Sequence, residues 1–78
     1  MYRCDVDTID GFCIAMKSFS YDDDRRFCHI VEVTKDKQKY ELTFSQQDFQ
    51  NVEDPDLEHE RIVSKKYFWL TLAKQILG

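Results

Sequence analysis

Residues 27–44 read FCHIVEVTKDKQKYELTF, and the alternation within this stretch decides the fold. His29, Val31 and Val33 recur at every second position, and after a polar interval Tyr40, Leu42 and Phe44 do the same. Glu32, Thr34, Lys39, Glu41 and Thr43 fill the places between. A period of two with one apolar face is the pattern of half-buried strands. Closing a hairpin around Asp36-Lys37 sets Val33 opposite Tyr40, Val31 opposite Leu42 and His29 opposite Phe44, so apolar side chains meet in cross-strand pairs.

The pattern extends upstream. Strands are expected near Tyr2–Asp7, Phe12–Tyr21, Arg26–Thr34 and Lys39–Phe44. A turn around Asp23-Asp24 pairs Ile14 with Val33 and Met16 with Val31. Ile9-Asp10-Gly11 reads as a three-residue loop with Gly11 in the left-handed position, which pairs Val6 with Ile14 and Cys4 with Met16. All three turns then place one apolar set on one face of a four-stranded antiparallel meander.

Downstream the period changes. Ser45 reads as the cap of a short helix near Gln46–Asn51. Asp54-Pro55-Asp56 offers a second start, with Asp54 as cap and Pro55 in the first turn, for a helix that runs to Leu77. Ser64 is a rival start that shortens it to Lys65–Leu77. Ile62, Val63, Tyr67, Leu70, Ala73, Ile76 and Leu77 form its expected inward stripe, widened by Trp69 and Leu72. The expected fold is α+β: a β-meander over residues 1–45, then a short helix and a longer amphipathic C-terminal helix packed on one sheet face.

A chain of 78 residues makes one domain with a modest core, and six Phe, four Tyr and one Trp supply its bulk. The longest apolar run, Tyr67–Leu70, is far too short to cross a bilayer, and the N-terminus has no signal-peptide core. Three cysteines without paired spacing argue against a disulfide framework and for a reducing, cytoplasmic setting. A net charge of −4 argues against direct binding to nucleic acid or to an anionic membrane.

That charge is unevenly spread. Residues 1–60 hold fifteen Asp/Glu against seven Lys/Arg (−8), whereas residues 61–78 hold only Arg61, Lys65, Lys66 and Lys74 (+4). Asp22, Asp23 and Asp24 mark a hairpin tip, and Glu53, Asp54, Asp56, Glu58 and Glu60 crowd the start of the helical part. Solvated turns and helix-dipole complementarity account for much of this acid. A sharper reading makes it a partner surface that imitates a phosphate backbone and occupies a basic groove. Glu32 and Glu41 fall opposite each other, a like-charge pair relieved by Lys17, Lys39 or a partner's cation. On the same outward face Cys13, Ala15, Phe19, Cys28 and Ile30 are more apolar than a solvated face requires, so either the short helix near Phe49 or another chain is expected to cover them.

Several chemistries lack their residues. Asp22–Asp24 is followed by neither the Gly bend nor the terminal Glu of a calcium loop. Cys28 and His29 are strand neighbours that point to opposite faces, and no zinc spacing exists, so no metal or cofactor is expected. Only Gly11 and Gly78 are present, too few to cradle a phosphate. A cysteine nucleophile needs a base beside it, and nothing in the sequence places His29 or His59 near Cys13 or Cys28.

A non-enzymatic protein-binding module is therefore expected. In one form it docks through Asp22–Asp24, Glu32, Glu41 and Glu53–Glu60 on a larger protein with a basic nucleic-acid-binding surface, with Phe19 or Trp69 as apolar anchor. In size and charge alone the chain resembles small phage-encoded inhibitors, anti-CRISPR proteins among them, a likeness that assigns no residue a role. In the other form it is a homodimer or a subunit of a larger complex, joined through Phe19, Cys28 and Ile30 or through the surplus apolar surface of the last helix.

Overall fold

The computed structural model describes residues 2–20, 27–45 and 54–77. They form strands β1 (Tyr2–Ile9), β2 (Phe12–Ser20), β3 (Phe27–Lys35) and β4 (Gln38–Ser45), followed by helices α1 (Pro55–Ser64) and α2 (Lys66–Leu77). The strands lie in sequence order in one antiparallel sheet, and both helices pack on the same face of it. The expected α+β meander with helices on one side is what the chain adopts. The short helix expected near Gln46–Asn51 lies outside the described residues.

Two of the three expected registers hold. Val31 sits opposite Met16 and Leu42, and Val33 opposite Ile14 and Tyr40. The first hairpin differs by one residue. Ile9 pairs with Phe12 around a two-residue turn, with Asp10 at φ 53° and Gly11 at φ 80°. Two successive positive φ values define the turn whose twist matches a hairpin, and Asp-Gly is a favoured sequence for it. A slip of one residue reverses every side chain. Asp5 and Asp7 therefore stand opposite Met16 and Ile14, where Cys4 and Val6 were expected, and Val6 is 61% exposed.

A Cβ built on Gly11 meets nothing within 4 Å, so substitution there is opposed by backbone conformation alone. Gly11→Ala is expected to cost about 1–2 kcal/mol in urea denaturation, and Gly11→Asn less, since Asn tolerates the left-handed region. Equal losses for both variants would point to a steric cause instead.

The core joins Phe12, Ile14 and Met16 of β2, Val31 and Val33 of β3, Ile62 of α1, and Trp69, Leu70 and Ala73 of α2. Of the two rival helix starts, Asp54-Pro55 is the one used, while Ser64 is the last residue of α1 and a second helix begins at Lys66. The Asp54 carboxylate accepts from the backbone N–H of Asp56 and Leu57, and Pro55 begins α1. Lys65 ends α1, its N–H bonded back to Ile62, while its own carbonyl accepts the Trp69 N–H that opens α2. Leu70, Ala73 and Trp69 are buried on the inward stripe as expected, but Tyr67 and Ile76 are not, each being 63% exposed.

Candidate functional site

The reversed face of β1 creates a polar seam between sheet and helices. Arg3 reaches Glu60 at 2.7 Å and Asp56 at 3.5 Å on α1, and Asp7 meets Lys66 of α2 at 2.8 Å. Asp10, in the turn, meets Lys74 at 3.3 Å. The hydrogen bond from Lys66 holds the Asp7 carboxyl below the usual carboxylate range, and Asp7 in turn raises the Lys66 ammonium. The cationic tail of the sequence thus folds back on the acidic first hairpin, and part of the charge split is spent inside the molecule.

Inside the seam lies a group that the sequence did not announce. Ser18 of β2, His29 of β3 and His59 of α1 are all buried, at 1%, 1% and 0% exposure. The Ser18 hydroxyl bonds the Nδ1 atoms of both His29 and His59, and His59 Nε2 bonds an Asp5 carboxylate oxygen. Each member is placed by its element. Ser18 and His29 are cross-strand neighbours on the helix-facing side, and His59 lies one turn before Ile62 on the buried stripe of α1. Burial holds His29 below the usual imidazole pKa, the nearby His59 adds to this, and Glu58 opposes it.

Serine, histidine and aspartate in sequence of contact invite comparison with a hydrolytic triad. The geometry argues otherwise, because an attacking hydroxyl must reach a substrate carbon, and Ser18 lies under α1 in the core. The group instead supplies buried hydrogen bonds that tie three strands to one helix. The cysteines are on the other side of the sheet from both imidazoles. All three are free thiols, and burial pushes the Cys28 thiol up, away from the thiolate form.

The acidic residues read from the sequence have mixed fates. Asp22–Asp24 and Glu53 fall outside the described residues. Asp54 caps α1, Asp56 and Glu60 hold Arg3, and Glu58 holds Arg61 at 2.8 Å. Glu32 and Glu41 do face each other, and both proposed cations relieve them: Lys17 lies 3.1 Å from Glu32, and Lys39 lies 3.6 Å from Glu32 and 3.5 Å from Glu41. The hydrogen bond from Lys17 lowers the Glu32 carboxyl accordingly.

Of the apolar candidates, Phe19, Cys28 and Ile30 are partly buried on the sheet face away from the helices, in register with Tyr2, Cys4, Val6 and Ala15. Trp69 does not belong with them. Only 7% exposed, it packs 5.3 Å from the Phe44 ring and donates its indole N–H to the Ile62 carbonyl at 2.9 Å. It is a core residue, two turns beyond the buried Ile62 on the same side of the helical layer. The outer side of α2 instead shows Phe68 and Ile76, at 55% and 63% exposure.

No helix among the described residues is long and apolar enough to cross a membrane, and none of their His, Cys, Asp and Glu side chains cluster in threes around a metal position. Compared with known proteins, the chain matches no family model, and no curated protein or solved structure matches it at a significant level.

Proposed function

We propose that this chain is a small non-enzymatic protein-binding module that pairs with a second copy of itself through the sheet face turned away from its helices. The observation that carries this reading is the charge pattern of that face. Its side toward β1 and β2 is apolar, with Tyr2, Val6, Ala15 and Phe19, and Ile30 adjoins it on β3. Its charged residues among those described are Lys17, Lys39, Glu32 and Glu41, two of each sign and mutually paired. A neutral, half-apolar face neither repels its own copy nor attracts a basic groove.

Strands rising about 3.3 Å per residue and spaced about 4.8 Å apart give this face a flat footprint on the order of 500 Å². Side-chain relief raises the accessible area toward the roughly 800 Å² per partner of a standard interface, which suits a modest dimer. The inhibitor reading, by contrast, needs free carboxylates, and five of its candidates are held by Arg3, Arg61, Lys17 and Lys39.

Size-exclusion chromatography with light scattering across a concentration series tests the proposal. A dimer is expected at tens of micromolar, insensitive to salt, and lost in Val6→Lys and Ala15→Glu. A strict monomer overturns it. So does a dimer abolished by Phe68→Lys but not by Val6→Lys, which would move the interface to α2. Salt-sensitive binding to a polycation, lost on reversing Asp22–Asp24, would favour the acidic inhibitor instead.

A further inference from the structure

We propose that Asp5, Ser18, His29 and His59 form a proton-operated latch that holds α1 on the sheet at neutral pH and releases it on acidification. The latch stands apart from the docking reading and uses the opposite face of the sheet.

The argument begins with hydrogen count. A carboxylate only accepts hydrogen bonds, so His59 Nε2 carries the proton shared with Asp5. A neutral His59 then has a bare Nδ1, which accepts the Ser18 hydroxyl proton. Ser18 has given its single proton, so its oxygen accepts from His29, which must carry its proton on Nδ1. One orientation of the chain satisfies every bond: His29 to Ser18 to His59 to Asp5.

One added proton reverses this order without breaking it. His59 becomes an imidazolium facing Asp5 and donates from Nδ1 to Ser18. Ser18 turns to donate to His29 Nδ1, and the His29 proton moves to Nε2. A second proton has no such solution. Both Nδ1–H groups then point at one oxygen, the serine proton is left without either ring to receive it, and two cations share a site exposed 1% or less.

Among the described residues, Arg3, Phe44 and Glu58 beside this site do not offset this. From β1 come Asp5 and Arg3, the latter 3.9 Å from Asp5 and shared with Asp56 and Glu60 of α1. From β2 comes Ser18 alone, and β4 sets Phe44 opposite His29. From α1, Glu58 favours a charged His29, but less than burial and His59 oppose it. The cheapest relief is separation of α1, which carries His59, from the strands that carry the other three.

The sign follows from the depressed His29 value. Once α1 is released, His29 titrates near its ordinary value of about 6.5, whereas in the latched state it resists protonation. Docking of α1 is therefore complete above that ordinary value. It is lost progressively as pH falls through the lowered one, by up to about tenfold per pH unit for each proton taken up.

Long-range proton–nitrogen NMR of the imidazoles, with amide hydrogen exchange, tests this between about pH 7.5 and about pH 5. At the upper pH, His29 is expected as the Nδ1–H tautomer and His59 as the Nε2–H tautomer. At the lower pH, α1 amides should lose protection at least about tenfold relative to β2 and β3, after correction for intrinsic exchange. His29→Gln, which removes the ring whose burial sets the sign, should make α1 protection independent of pH. The latch is overturned by an Nε2–H tautomer for His29 at neutral pH, by unchanged α1 protection on acidification, or by a His29→Gln variant that opens at the wild-type midpoint.

Discussion

Trp69→Ala is expected to destabilise the protein by about 3–5 kcal/mol. The indole is the hinge pin of the helical layer. Its ring meets Phe44 of β4 at 5.3 Å and Phe68 at 5.1 Å, and its N–H fixes the Ile62 carbonyl at the end of α1. That carbonyl also accepts the Lys65 N–H that closes the helix, so one acceptor serves both the break and the ring. Truncating a buried Trp costs about 3–5 kcal/mol through lost burial and the cavity left behind. At roughly 0.05–0.15 kcal/mol per residue, a chain this short has about 4–12 kcal/mol in total, so the loss takes from roughly a quarter to all of the margin. Trp69→Phe keeps a ring but not the donor, and should cost about 1–2 kcal/mol. Urea denaturation followed by far-ultraviolet circular dichroism reads both. A Trp69→Ala midpoint close to wild type would mean that the helices do not depend on this contact.

The sequence showed the sheet clearly because its evidence was redundant. Val31 and Val33 each have apolar partners on both sides, so the β2–β3–β4 registers were fixed twice over. β1 is an edge strand with one neighbour, and its register hung on a single turn. Reading Asp10-Gly11 within a three-residue loop moved Val6 inward, whereas the Asp-Gly pair by itself favours the two-residue turn that occurs. The consequence reached beyond β1. With Asp5 facing outward there was no partner for His59, so the buried chain was illegible. Both histidines looked ordinary, since nothing in a sequence shows that Ser18, His29 and His59 meet across 41 residues. The inward stripe of α2 was legible in most of its residues, Leu70 and Ala73 among them, but not at its edges. Trp69, two turns after Ile62, lies on the buried side where it was expected to widen the stripe, whereas Tyr67 and Ile76 face outward.

Ser18→Ala should destabilise the protein more than any other single-oxygen deletion in it, by about 2–4 kcal/mol at neutral pH. The hydroxyl is the shared partner of two imidazole Nδ1 atoms in the core, and each buried polar group that loses its partner costs about 1–3 kcal/mol. The penalty arises from what is left behind more than from what is removed. Replacing the whole group, in Ser18→Ala/His29→Leu/His59→Leu, deletes the stranded nitrogens as well and fills similar volume with apolar side chains. Asp5, whose side chain is 46% exposed, can exchange His59 for water. Such wholesale replacement of a buried polar cluster is often neutral or stabilising, so the triple variant should be more stable than Ser18→Ala alone. It should also lose the acid-triggered release of α1, because no titrating ring remains under the helix. Urea denaturation at neutral and acidic pH separates the possibilities. A Ser18→Ala variant within about 0.5 kcal/mol of wild type would show that the hydroxyl does not join the rings. A triple variant less stable than Ser18→Ala would mean that the buried chain contributes net stability, not only a response to protons.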